Sequence, residues 1–133
     1  MNWRKIGKYA GALLFASSAI AFIEGFCCSP SSFAVMLGFN AIAFLVSVAI
    51  FTHLVAGQSY RPFAHALAVL LLEEAMGLAL WLVLVLMLPD GLVSPLDAQV
   101  FFGWLVLGCA LAAGTVLGIN LQRRARQPAE GCT

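Results

Sequence analysis

The sequence predicts an all-α polytopic membrane protein, a bundle of four transmembrane helices with both termini on the cytoplasmic side. Three observations carry that expectation. Of the 133 residues, 62% are hydrophobic and only 10% are charged, far from the roughly 25% charged share of soluble domains. Four apolar runs, near 9–26, 33–56, 63–88 and 99–121, each reach the roughly 20 residues of helix that a hydrocarbon core of about 30 Å requires. All the basic residues fall on one side of these runs: Arg4, Lys5 and Lys8 before the first, Arg61 between the second and third, Arg123, Arg124 and Arg126 after the fourth. The other two connections carry only Asp90 and Asp97. Because cytoplasmic loops collect Lys and Arg, the termini and the GQSYRP turn (57–62) are expected in the cytoplasm, and FCCSPSS (26–32) and PDGLVSPLD (89–97) outside. A bacterial inner membrane or its equivalent is the expected setting. Basic clusters this short carry topology rather than nucleic-acid binding.

The first run follows a basic start and contains Ala19-Ile20-Ala21, which a signal peptidase accepts in other contexts. Cleavage there would leave three spans and discard much of the charge pattern, so the run is read as a span. Ser17, Ala21 and Gly25 recur at four-residue spacing, with Gly7 and Gly11 preceding them. Small residues so spaced let helices pack closely in lipid, where apolar surface alone gives no driving force. Glu24 lies near the outer loop, at a depth where a carboxylate reaches water.

The second run carries Asn40, expected to hydrogen-bond to a neighbouring helix, and ends at His53. Pro62 then opens the third run at a position where a helix loses no useful N–H. His65 follows it, so two histidines bracket the turn. They are candidates for a proton relay or for haem or metal ligands, although helices joined by so short a turn usually pack too closely to admit a porphyrin, and histidines capping the helix ends are the simpler expectation. The third run contains Glu73 and Glu74 in LLLEEAMG, two adjacent carboxylates inside an apolar helix. The fourth repeats the small-residue spacing at Ala110, Gly114 and Gly118. These two stripes are expected either to pack within the chain or to mediate self-association. Residues 1–126 form one domain, and 127–133 a polar tail.

Helical rise of about 1.5 Å per residue places the polar side chains by depth. Ser17 and Ser18 lie roughly 14 Å from Lys8, Ser47 roughly 14 Å from Ala56, Glu73 and Glu74 about 14–15 Å from Ala64, and Thr115 about 12 Å from Arg123. Each span therefore offers a polar group near the midplane. A charge at that depth costs about 2.5–3.5 kcal/mol on insertion scales. No Lys or Arg of the chain lies at that depth, which leaves three accounts of the glutamates. They are held neutral and tie helices together; they exchange a proton or a cation; or they meet a basic residue from another subunit. His65 lies roughly 12 Å along the helix from Glu73, within range of a water-bridged route.

The four cysteines include the vicinal pair Cys27 and Cys28, with Cys109 in the fourth run and Cys132 in the tail. No Cys-x-x-Cys spacing occurs. A vicinal pair bonded to itself is strained, although it can capture a soft metal ion. No metal site or other cofactor is assigned.

Three functions follow from these residues. The first is a small proton- or cation-coupled transporter or channel, with Glu73, Glu74, Ser17, Ser47 and Thr115 as its site. The second is a non-catalytic subunit of a larger complex whose partner supplies a cation to the glutamates. The third is a haem or quinone electron-transfer protein. None is an enzyme in the hydrolytic or group-transfer sense. The expected partners are the lipid bilayer and either copies of the chain or other membrane subunits, with no nucleic acid.

Overall fold

Backbone N–H and C=O groups find no water in a hydrocarbon core, so an apolar run of this length satisfies them internally by becoming helix. The computed structural model describes residues 3–27, 33–58, 60–88 and 98–126. It contains α1 (Trp3–Cys27), α2 (Phe33–Ala56), α3 (Pro62–Met87) and α4 (Ala98–Arg126). All four are long and apolar enough to cross a membrane. The boundaries of α2 and α3 fall within one residue of the apolar runs. The other two helices are longer than expected: α1 begins at Trp3 instead of near 9, and α4 continues to Arg126 instead of ending near 121. Apolarity marks where lipid ends, whereas i→i−4 bonding continues through basic residues that are themselves good helix formers.

Gly57 and Gln58 donate to the carbonyls of His53 and Val55 where α2 ends, at 3.2 and 3.0 Å. Arg61 then adopts a left-handed conformation (φ 45°, ψ 59°) immediately before Pro62. That geometry is costly for a non-glycine residue, and here two groups hold the Arg61 carbonyl. The His65 amide donates to it at 3.3 Å and the His65 ring nitrogen Nδ1 at 3.0 Å. The Arg61 guanidinium lies over the Tyr60 ring, 5.2 Å from its centroid.

The largest interface joins α2 to α4 and the next joins α1 to α3, while the backbones of α1 and α4 do not approach each other among the described residues. The α2–α4 seam is built on two glycines. A Cβ placed on Gly114 would sit 2.6 Å from Phe51 Cβ and 2.9 Å from the Val48 carbonyl. One on Gly118 would sit 2.7 Å from Val55 Cβ. The fourth-run stripe therefore packs within the chain, and its successive partners show that α2 and α4 run parallel. Thr52 Oγ1 donates to the Gly114 carbonyl at 3.3 Å across this seam. At its end the Gln122 amide donates to the carbonyls of Val55, at 2.6 Å, and Gln58. The Val55 carbonyl lies in the last turn of α2, where no N–H four residues on continues the helix, and it accepts from both the Gln122 side chain and the Gln58 backbone amide. The first-run stripe differs, since a Cβ placed on Gly7, Gly11 or Gly25 would meet nothing within 4 Å.

Packing is uneven along the bundle axis. Ile6, Ala10, Leu13, Phe51, Leu54, Val55, Ala66, Val69, Ala110 and Leu111 form one buried cluster toward the end that carries the termini. Toward the other end, every residue from Leu82 to Leu88, through the close of α3, is exposed. Seven consecutive exposed positions cover the full circumference of a helix at about 3.6 residues per turn, so no other described helix covers that part of α3.

Candidate functional site

Burial separates the two adjacent glutamates. Side chains one residue apart diverge by about 100° on a helix, and α3 uses that divergence to turn Glu73 into the bundle and Glu74 toward α4. Glu73 is only 5% exposed, and its Oε2 is enclosed without a hydrogen-bond partner. The Glu74 carboxylate is half-buried and accepts a hydrogen bond from the Trp104 indole. Leu14 of α1 covers the next turn of α3, its Cδ1 3.9 Å from where a Cβ on Gly77 would stand. Gly77 thus sits where α1 approaches α3.

Thr115 resembles Glu73, being 5% exposed with an enclosed, unpartnered Oγ1. Ser47 is equally buried, Ser17 is half-buried and Ser18 is exposed. Ser17 and Ser47 line a crevice of about 230 Å³ together with Glu24, Asn40 and Gly103. Glu73, Glu74 and Thr115 do not line it. The polar groups counted to a common depth are therefore distributed over different surroundings within the bundle. Asn40 corrects a sequence expectation: its amide nitrogen donates to the Met36 carbonyl at 2.8 Å, within its own helix. A short amide side chain reaches the carbonyl one turn back more easily than a neighbouring helix.

The two histidines face different neighbours. His53 Nδ1 is 2.7 Å from the Tyr9 hydroxyl of α1. His65 is buried, and since a carbonyl only accepts, its Nδ1 must carry the proton given to Arg61, leaving Nε2 as the acceptor. Among the described residues no group of three or more His, Cys, Asp and Glu side chains is placed to hold a metal ion. Cys109 is free and exposed. The Cys27 and Cys28 side chains, and Cys132, lie outside the described residues.

Three contributors were not singled out by sequence reasoning: Tyr9, Trp104 and Gln122. Only Trp104 carried a usable signal. An indole N–H inside an apolar span needs an acceptor, and the third span holds two carboxylates. The reach of Tyr9 and Gln122 depends on helix pairing, which spacing along one helix does not encode. Compared with protein-family models, with curated proteins and with solved structures, the chain matches none of them.

Proposed function

We propose that this chain is a small proton-coupled transporter or channel, with Glu73 as the group that takes up and releases the proton. One observation carries the reading: Glu73 is almost fully enclosed, and a carboxyl oxygen there bonds to nothing. A carboxyl whose task is to tie helices together commits its polar atoms to hydrogen bonds, because each one left unmade in a dry interior costs about 1–3 kcal/mol. Glu73 leaves one unmade, which suits a group that changes its bonding as it works. The unpartnered Thr115 hydroxyl is a second enclosed polar group able to do so.

His65 supplies an inlet in this reading. It lies on the same helix, nearer the termini, with Nδ1 committed to the Arg61 carbonyl and Nε2 left as the acceptor. Glu74, tied to Trp104, positions α3 against α4 and does not carry the proton itself. Ser17 and Ser47 belong to a separate crevice. Orientation follows from the basic residues: both termini in the cytoplasm of a bacterial inner membrane or its equivalent, so that His65 lies on the cytoplasmic side of Glu73. The alternative of a partner subunit's cation is less well supported for Glu73, whose burial leaves no face for an outside side chain.

Infrared difference spectroscopy on the protein in liposomes tests this without a known substrate. Stepping the pH is expected to produce a carboxyl band from a buried, dehydrated acid that is missing in Glu73→Gln and kept in Glu74→Gln. A band that never responds to pH would make Glu73 a fixed helix tie and end the reading.

A further inference from the structure

The crevice beside α2 has a chemistry of its own. It forms on the half of the bundle away from the termini, where α1 and α4 flank α2 without their backbones meeting. Its polar lining is Ser17 and Glu24 from α1 and Asn40 and Ser47 from α2; Phe39 and Leu107 are among its apolar walls. The hydrogen-bonding inventory leans toward acceptors and negative charge. The Asn40 amide gives one of its two N–H groups to the Met36 carbonyl, which leaves one N–H and the oxygen, an acceptor. Glu24 adds two carboxylate oxygens, the serines add hydroxyl oxygens, and no lining side chain is basic. A cavity rich in acceptors and carrying one acidic group selects a ligand that brings donors and positive charge.

We propose that this crevice binds a primary ammonium group carried on a small apolar body. An ammonium brings three N–H donors and a positive charge, which match the Glu24 carboxylate and the Asn40 oxygen. A quaternary ammonium has none, and its usual recognition by several aromatic faces is not available from Phe39 alone. The volume of about 230 Å³ is below the roughly 300–1,000 Å³ of pockets for drug-sized ligands, so the body is small. Two sources present this chemistry in a membrane: a free amine, and the ammonium headgroup of an aminophospholipid entering from the bilayer. The site uses neither Glu73 nor Glu74, so equilibrium binding stands or falls independently of the proton reading above.

Calorimetric titration of the full chain in a neutral detergent, with hexylamine, hexyltrimethylammonium and hexanol, tests the assignment. Hexylamine is expected to saturate one site at least tenfold more tightly than either analogue, and Glu24→Gln and Asn40→Leu are each expected to weaken it about tenfold. Three equal affinities, or an unchanged hexylamine affinity in Glu24→Gln, would overturn it. Gly103→Leu guards against a misfolded variant: Gly103 lines the crevice with nothing within 4 Å of its Cβ position, so leucine fills the space and should abolish binding, whereas retained binding places the ligand elsewhere. Repeating the titration in bilayer discs separates the sources. Competition by phosphatidylethanolamine but not phosphatidylcholine identifies the headgroup, and equal hexylamine affinity in both identifies a free amine.

Discussion

Glu73 is held where a leucine would pack without penalty, and that contrast makes its role measurable. Replacing an enclosed polar group that lacks a partner by an apolar one of similar size is neutral or stabilising. Glu73→Leu is therefore expected to leave the purified protein as stable as wild type, or about 1–3 kcal/mol more stable, while stopping proton movement. Both halves are checked on one preparation, by resistance to denaturing detergent and by an internal pH dye in liposomes under an imposed potassium diffusion potential. A variant that is stable and still passes protons would remove Glu73 from the mechanism. At Glu74 the sign reverses, because its carboxylate has a partner. Trp104→Phe deletes the indole donor and is expected to cost about 0.5–1.5 kcal/mol, the net range for one hydrogen bond, since the carboxylate it leaves is only half-buried. The same denaturation assay reads it.

At the scale of the helix, the small residues of α3 and α4 make opposite predictions. Gly114→Ala and Gly118→Ala push a methyl against the Cβ atoms and backbone carbonyls of α2 at 2.6–3.0 Å, none of which is the movable end of a side chain. Forcing a methylene into a packed seam costs about 1–3 kcal/mol, so either variant is expected to loosen the α2–α4 pair and lower the denaturation midpoint. Gly77→Ala meets only the end of Leu14 at an ordinary contact distance, and alanine gains up to about 1 kcal/mol in helix propensity; it is expected to be neutral or stabilising. Equal losses at all three positions would mean that the seam is not what these glycines serve. Four-residue spacing announced the stripe on α4, yet α1 bears the same spacing and its Gly7, Gly11 and Gly25 face open space. A stripe marks the possibility of close packing, and only the partner's shape decides it. Asn40 shows the same limit, since its amide bonds within α2 where a neighbouring helix was the expected partner.

Across the molecule, fold class was legible because a bilayer permits so few solutions: apolar runs of about 20 residues become helices, and α2 and α3 fall within a residue of the runs that announced them. The candidate site was legible only in part. Counting along each helix assigns depth but not azimuth, and azimuth separates enclosed Glu73 from Trp104-bound Glu74, and crevice-lining Ser17 from its neighbour Ser18. Orientation across the membrane is a property of the whole chain, and charge placement is the only information bearing on it. With four helices alternating in direction, the ends of α1, α2, α3 and α4 that meet near the termini carry Arg4, Lys5, Lys8, Arg61, Arg123 and Arg124, whereas the described residues at the opposite end carry no basic side chain. Translocating the basic end would drag every one of those charges across the bilayer, so it is expected to remain in the cytoplasm. A fluorescent protein fused after Thr133 should therefore fluoresce, and alkaline phosphatase at the same position should be inactive, while phosphatase fused within the 89–97 connection should be active. The reverse pattern would put His65 on the far side of Glu73 from the cytoplasm and make the proposed inlet an outlet.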